Sequence, residues 1–435
     1  MNFKLDELIY QSPECTGLNR EPNRSPLFPF KKESDARHAG QNRGPWYRTL
    51  NGDWKFNYYE KPQDIPENFM APSVNDSKWK TIDVPSCWDM RGYDYPHYTN
   101  AQMPWGELPP KVPAERNPTG IYRRTFDIPK NWAGRRILLH FDGVESCFAA
   151  YVNGTAAGMS KDSRGSTEFD VTELVRTGRN QITVLVIKWS DGTFIEDQDH
   201  WWHAGIVRSV YLYSTGKNHI ADVHVTATLD DTFENGLLKV DMQTGHPEKI
   251  DPENAPFLAV RVYDENDTLV FEQKQNCGKH PALEWGTADY RRIHTGLSGM
   301  IEKVHPWSAE IPSLYTLTVT LYDKKGKEQE AVSQRIGFRT VKVEKRQLLV
   351  NGQPVLICGV NRHEHDDLNG RTVSMELMRK DLVLMKQFNI NAIRTSHYPD
   401  APEFYDLCDE YGFYVIDEAN LECHSFYNDL TNNPA

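Results

Sequence analysis

Val355-Leu-Ile-Cys-Gly-Val360 is an apolar run typical of a buried strand, and Asn-Arg-His-Glu-His365 follows it directly. Residues 390–394 and 413–417 predict two further strands, and helical spacing fills the intervals between the three. Ser374 can cap the first helix, and the second spans 402–411 and ends at Gly412. The alternation of strand and helix predicts a parallel sheet, which we assign to the first three β/α units of an incomplete (β/α)8 TIM barrel over residues 340–435.

The first of these helices carries a mainly apolar face. Its spacing places Leu377, Leu384 and Phe388 on that face, with Met378, Leu382 and Met385 beside them. We therefore expect this face to pack against the sheet.

Reactive side chains follow the carboxyl end of each predicted strand. The clusters are Asn361 to His365 after the first strand, Arg394 to Tyr398 after the second, and Asp417 to His424 after the third. Because strand ends at one face of such a barrel surround a common pocket, the three clusters should converge. A single cluster could merely satisfy loop backbone groups, but three in succession favour a functional site.

Short alternating strands precede the barrel segment. Residues 46–216 predict a jelly-roll β-sandwich, with a hairpin turn at Asn153-Gly154, and residues 217–339 predict an immunoglobulin-like β-sandwich. Prolines interrupt residues 1–45, which we interpret as an irregular arm.

Composition excludes several classes of protein. The 435 residues contain 49 Lys and Arg against 61 Asp and Glu, a net charge of −12 that disfavours nucleic acid and anionic membrane surfaces as partners. The sequence contains no apolar run long enough to span a bilayer and no signal-peptide pattern at its start. Seven scattered cysteines suit a reducing compartment, so we expect a cytoplasmic protein.

An acidic, aromatic stretch stands out in the predicted jelly roll. Glu196, Asp197 and Asp199 lie within four residues and next to Trp201 and Trp202. Carboxylates this close repel one another unless hydroxyls, amides or a cation compensate. A bound sugar or a metal ion would do so. The alternative is an acidic surface loop, but the neighbouring tryptophans argue against full exposure.

Three barrel segments resemble β-galactosidases of glycoside hydrolase family 2. They are Gly359-Val-Asn-Arg-His-Glu-His365, Asn391-Ala-Ile-Arg-Thr-Ser-His-Tyr-Pro399 and Val415-Ile-Asp-Glu-Ala-Asn-Leu-Glu422. The sugar-binding domain of that family is resembled by Leu50-Asn-Gly-Asp-Trp-Lys-Phe56, Asn117-Pro-Thr-Gly-Ile-Tyr122 and Ile195-Glu-Asp-Gln-Asp199. The resemblance implies a retaining hydrolase of terminal non-reducing β-D-galactose, such as that of lactose.

The resemblance also implies roles for individual residues. Asn100 and Asp199 would hold galactose hydroxyls, with Asp199 near a sodium ion. His363 and His397 would bind the sugar in its distorted transition state, and Arg394 would lie beside the nucleophile. The ligands of Mg2+ (or Mn2+) would be Glu422 and His424.

The sequence departs from the family after Glu422. The family usually continues with Thr-His-Gly, whereas this chain has Cys423-His424-Ser425. The acid/base and nucleophilic glutamates of the family would lie beyond Ala435, so no catalytic residue is assigned. We expect the chain to be an amino-terminal portion that is inactive alone and needs the rest of the barrel from a continuing or second polypeptide, in a possible homo-oligomer.

Two other functions remain open at this point. A non-catalytic galactose-binding module would bind sugar without turnover. His363-Glu364-His365 also resembles the opening of metal-dependent amidohydrolase barrels, which would use zinc.

Overall fold

The computed structural model describes residues 9–40, 43–100, 102–246, 255–277 and 292–426. Its amino-terminal arm is not wholly irregular, as it contains strand β1 (Gly17–Leu18) and helix α1 (Glu33–Arg37). Strand β1 pairs with a strand of the jelly roll, and Phe30 forms a bridge with Ala331 of the second sandwich. The arm therefore packs on both sandwiches.

The first sandwich consists of a seven-stranded sheet, in the order β1-β10-β9-β12-β6-β3-β4, and a four-stranded sheet, in the order β11-β7-β16-β2. The fold class predicted for this part of the chain, a jelly-roll β-sandwich, is confirmed. Its strands are β2 (Tyr47–Thr49), β3 (Gly52–Tyr59), β4 (Lys80–Val84), β5 (His97–Tyr98), β6 (Thr119–Ile128), β7 (Arg136–Phe141), β8 (Val144–Glu145), β9 (Cys147–Val152), β10 (Thr155–Ser160), β11 (Thr167–Asp170), β12 (Gly178–Ile187), β13 (Glu196–Asp197), β14 (Trp201–Trp202), β15 (Gly205–Ile206) and β16 (Val210–Thr215).

The central strands of the larger sheet are buried on both faces. Apolar side chains from both sheets, including Trp54, Phe141 and Val184, fill the core between them. Tyr151 and Leu185 belong to a second apolar cluster, on the other face of the larger sheet. Asn153 and Gly154 turn the chain from β9 to β10 with φ of 52° and 84°, the left-handed pair that a tight hairpin requires.

The second sandwich is immunoglobulin-like, as predicted. A three-stranded sheet, β17-β18-β21, faces a four-stranded sheet, β20-β19-β22-β23, across an aliphatic core. Its strands are β17 (His219–Leu229), β18 (Gly236–Gly245), β19 (Phe257–Tyr263), β20 (Leu269–Asn276), β21 (Arg292–Ile301), β22 (Tyr315–Tyr322) and β23 (Glu328–Ile336).

A small antiparallel sheet then leads into the barrel segment, whose three parallel strands run in the order β27-β28-β29. Three strands and two helices of the barrel lie in the described part of the chain, and a short strand follows them. The elements are β24 (Val341–Glu344), β25 (Gln347–Val350), β26 (Gln353–Pro354), β27 (Gly359–Arg362), α2 (Met375–Gln387), β28 (Ala392–Thr395), α3 (Pro402–Tyr411), β29 (Tyr414–Ile416) and β30 (Glu422–Cys423).

Two sequence predictions in this segment were wrong in detail. The first strand begins at Gly359, not Val355, because its pairing with β28 starts there and Leu356 and Ile357 are exposed. In α2, the buried side chains are Met378 and Leu382, whereas Leu384 and Phe388 are 52% and 72% exposed. The helix is therefore rotated relative to the predicted face.

Buried polar contacts hold the barrel segment against both sandwiches. Arg208, in the loop before β16, donates through Nη2 to Glu364 Oε2 at 2.6 Å, and both side chains are almost fully buried. Glu364 also accepts from the Ala401 N–H. On the other side, the Trp307 indole donates to the Asp409 carbonyl of α3 at 3.0 Å.

Throughout the described ranges, the helices are too short or too polar to cross a lipid bilayer.

Candidate active site

Arg394, near the end of β28, links the ends of the three parallel strands. Its Nε donates to Glu418 Oε1 at 2.5 Å, and its Nη1 donates to Asn361 Oδ1 at 3.4 Å. Its Nη2 lies 3.2 Å from His397 Nδ1. The predicted convergence of polar side chains from three strand ends is thus observed.

His397 connects this guanidinium to the segment that follows β29. Its Nδ1 lies 3.2 Å from Glu418 Oε2 and 3.5 Å from Glu422 Oε2. Its ring centroid lies 5.5 Å from that of His363. His363, His397 and the Glu422 segment that contains His424 therefore lie at one edge of the sheet.

The jelly roll closes one side of this edge through its acidic stretch. Strand β13 pairs in parallel with β30, so that Glu196 aligns with Glu422 and Asp197 with Cys423. The Glu422 N–H donates to the Ile195 carbonyl at 2.9 Å. The acidic stretch is consequently part of the site and not a surface loop.

Two contacts fix the position of this segment further. The Ser425 N–H donates to Asp197 Oδ2 at 2.6 Å, and Asn420 Nδ2 donates to Glu196 Oε1 at 2.7 Å. Both contacts join residues more than 220 positions apart, so no local pattern could have indicated them.

Asp199 lies at the rim, where its Oδ1 accepts from the Tyr98 hydroxyl at 2.7 Å. The Tyr98 ring packs against Trp201 with centroids 5.4 Å apart. Burial lowers the pKa of His363, and the Asp199 charge offsets a small part of that fall. Asn100 follows two residues after Tyr98 and is exposed, and among the described residues its side chain has no hydrogen-bond partner.

Burial keeps two imidazoles near the site, those of His363 and His200, neutral. It is the main reason that the pKa of His363 falls to about 4, and the neighbouring His397 and His365 lower it further. The pKa of His200, whose ring lies 4.4 Å from that of His363, falls to about 3 for the same reason. Near neutral pH these rings can each donate one hydrogen bond and accept another, as sugar hydroxyls require.

The predicted magnesium ligands lie next to Asp197, although in the described part of the chain their ligand atoms do not all lie within 4.8 Å of one another. Glu422 Oε2 and Asp197 Oδ1 are buried and accept no hydrogen bond from any described residue. Burial raises the pKa of Asp197, the Ser425 N–H and the His424 charge lower it, and the Glu422 charge raises it. Carboxylate oxygens and an imidazole are ligands that a divalent cation accepts, and these side chains would have to move closer together to bind one.

The sequence assigned no role to Asp197 or Glu418. Asp197 lies in the acidic stretch, and the crowding of three carboxylates was its only signal. Glu418 follows the third strand, and its engagement by Arg394 and His397 became visible only in the folded chain.

The chain matches family descriptions over three consecutive ranges. Residues 47–216 match the glycosyl hydrolases family 2 sugar binding domain, residues 218–339 match glycosyl hydrolases family 2, and residues 341–434 match the family 2 TIM barrel domain. The last match identifies the barrel segment as that of family 2, so the amidohydrolase alternative is set aside.

Curated relatives are named beta-galactosidase. One from Priestia megaterium is 40% identical over 424 residues, which cover 96% of this chain and 40% of that protein. One from Pectobacterium atrosepticum is 39% identical over 431 residues, covering 98% of this chain and 40% of the relative. The chain thus spans about 40% of the length of these relatives.

Solved structures share the fold. A β-glycosidase from Bacteroides vulgatus superposes with a TM-score of 0.68 at 25% identity, covering 86% of this chain and 44% of that one. A Bacteroides uniformis β-glucuronidase gives a TM-score of 0.71 at 22% identity, covering 86% and 42%. From its three matched domains in this order, the chain belongs to glycosyl hydrolase family 2.

Proposed function

We propose that the chain supplies the sugar-binding and cation-binding part of a retaining β-galactosidase that acts on terminal β-D-galactose, as in lactose. The observation that carries the proposal is the meeting of Arg394, His397 and Glu422 with the acidic stretch of the jelly roll at one edge. The sequence relatives named beta-galactosidase support galactose over other sugars.

The groups at this edge suit a neutral polyhydroxylated ligand. His363 and His397 would offer imidazole nitrogens, and Asn100 and Asp199 would add an amide and a carboxylate from the jelly roll. The exposed rings of Tyr98 and Trp201 stand beside Asp199 and can stack on the C–H face of a sugar.

The bond-breaking carboxyl pair is assigned to polypeptide outside these 435 residues. A retaining glycosidase needs two carboxyl groups about 5 to 5.5 Å apart on either side of the anomeric carbon. Glu418 and Glu422 both contact the same His397 nitrogen from one loop, and Glu418 is also paired with Arg394. They are thus placed to position other groups and not to flank a sugar.

Two cations belong to the proposal. Mg2+, or Mn2+, would be held by Glu422 and His424 with Asp197 adjacent, and Na+ by Asp199, whose neighbour Tyr98 is a second oxygen donor. The divalent ion, when bound, supplies a fixed positive charge beside the sugar.

The remaining barrel is the proposed partner. Leu356 is 79% exposed and Ile416 53% exposed, which leaves apolar side chains uncovered at the three-stranded sheet. We propose that further β/α units, from the same or a second polypeptide, cover them in a cytoplasmic enzyme that can form a homo-oligomer.

The test combines a binding and a turnover assay. Galactose should bind the lone chain, as measured by calorimetry, without hydrolysis of nitrophenyl-β-galactoside. Addition of the polypeptide encoded immediately downstream should produce turnover.

A matched pair of histidine variants locates the binding. His397→Ala should abolish galactose binding, whereas His305→Ala, in an exposed irregular segment of the second sandwich, should not. Turnover by the lone chain would contradict the assignment of the catalytic pair. Sugar binding without turnover under every complementation would favour the galactose-binding module.

A further inference from the structure

A second cluster of possible metal ligands lies apart from the candidate active site. Cys87, Asp89 and His203 are all buried, with 0%, 7% and 2% of their surface exposed. One possible ligand atom of each lies within 4.8 Å of those of the other two. Within the described ranges, this is the only set of three such residues that meets this distance limit.

The polar atoms of the cluster are incompletely satisfied. His203 Nδ1 lies 2.7 Å from Asp89 Oδ2, but His203 Nε2 and Asp89 Oδ1 are buried and find no hydrogen-bond partner among the described residues. Buried polar atoms are costly to leave unpaired, so two in one residue pair indicate a missing partner.

We propose that Cys87, Asp89 and His203 bind a structural Zn2+ ion. A thiolate, a carboxylate and an imidazole form the donor set that zinc accepts at about 2.0 to 2.3 Å. Zinc binds the thiolate form of cysteine, so the Cys87 thiol would lose its proton to solvent as the sulfur–zinc bond forms.

The surroundings favour a closed structural site over an open catalytic one. The backbone at Gly370 passes so near that an added Cβ would lie 2.9 Å from the His203 ring and 3.1 Å from Cys87 Sγ. The Arg371 N–H donates to that sulfur at 3.3 Å. The barrel loop after β27 is therefore in contact with ligands that come from the jelly roll.

His365 is the candidate for a fourth ligand. Its ring centroid lies 5.9 Å from that of His203, and its Nδ1 is buried without a hydrogen-bond partner in the described part of the chain. Structural zinc sites are almost always four-coordinate. With His365 bound, the ion would join the jelly roll to the barrel segment.

The test uses cobalt in place of zinc on the full 435-residue chain. Co2+ added to the metal-free protein should give a sulfur-to-cobalt charge-transfer band that saturates at one equivalent and disappears when Zn2+ is added. Zn2+ should also raise the melting temperature.

Matched cysteine variants locate the thiolate. Cys87→Ala should lose the band and the zinc-dependent rise in melting temperature. Cys147→Ala, which removes another fully buried thiol of the jelly roll, should retain both. Cys423→Ala should also retain them, because Cys423 lies between Glu422 and His424 of the proposed magnesium site.

Three results would overturn the proposal. They are no charge-transfer band in the unaltered chain, an unchanged band in Cys87→Ala, and loss of the band in Cys423→Ala. If Cys87→Ala fails to fold by circular dichroism, His203→Gln supplies the same readout, with at least about a tenfold loss of Co2+ affinity expected. None of these outcomes depends on sugar binding or turnover.

Discussion

Arg208 and Glu364 form a buried ion pair between the jelly roll and the loop after the first barrel strand, with Nη2 and Oε2 2.6 Å apart. Arg208 also donates to the Arg164 and Pro399 carbonyls. Loss of one member leaves the other charge buried without its partner, which is far more costly than loss of a surface pair.

Arg208→Met should therefore lower the free energy of unfolding by about 3 to 5 kcal/mol in urea denaturation. Lys239→Met is the control, since Lys239 and its partner Asp241 are 62% and 48% exposed. It should cost less than about 1 kcal/mol. Equal effects of the two changes would contradict the role of the buried pair.

Glu330→Gln should flatten the dependence of stability on pH. Burial raises the pKa of Glu330 to about 7, although the Gly216 and Ile220 N–H groups donate to its carboxylate. The folded state thus holds a proton that the unfolded chain releases near pH 4.5. This contribution to stability is complete below pH 4.5 and is lost as pH rises to about 7.

The expected loss over that interval is about 1 to 3 kcal/mol. Melting temperatures recorded from pH 4.5 to 8 would measure it, with Glu302→Gln in an exposed turn as the control. The slope of melting temperature against pH is the quantity to compare, because Glu330→Gln also removes a hydrogen bond at every pH and so lowers stability throughout. A slope unchanged by Glu330→Gln would show that other groups cause the dependence.

Leu382→Ala should destabilise the protein by about 2 to 5 kcal/mol, because the leucine is fully buried beneath α2. Leu384→Ala, two residues later on the same helix, should change stability by less than about 0.5 kcal/mol because the side chain is half exposed. Chemical denaturation of both variants would check the observed rotation of α2. A larger loss of stability in Leu384→Ala than in Leu382→Ala would instead support the apolar face predicted from spacing.

Glu422→Gln should weaken Mg2+ binding by about tenfold or more, since it removes a charged ligand whose Oε2 is buried without a hydrogen bond from the described residues. Isothermal titration of Mg2+ into the chain would measure this. Glu376→Gln, at the exposed start of α2, should leave the affinity unchanged. Unaltered affinity in Glu422→Gln would remove Glu422 from the proposed ligands.

Local signals explain what the sequence predicted well. The second barrel helix spans residues 402–411 as expected, since proline begins it and Gly412 ends it with φ of 77°. Ser374 caps α2, accepting from the Leu377 N–H at 3.2 Å. Such signals act within a few residues, so they can be recognised in the sequence before the fold is known.

Long-range contacts explain what it predicted poorly. The start of β27 and the buried face of α2 depend on which neighbours cover each side chain. The apolar content of a segment does not reveal those neighbours. The convergence of the polar clusters after the three strands could be predicted, because the carboxyl ends of parallel strands lie at one edge of the sheet. The roles of Asp197 and Glu418 required knowledge of partners elsewhere in the chain.

The parallel pairing of β13 with β30 has a consequence for how such proteins can change. The Ile195 carbonyl of the jelly roll accepts from the Glu422 N–H and so helps determine where this barrel carboxylate lies. An unrelated carbohydrate-binding module grafted onto the same barrel would have to recreate this short ladder. The jelly roll thus forms one side of the pocket and is not a separable module. The sequences of the jelly roll and the barrel should therefore change together during evolution.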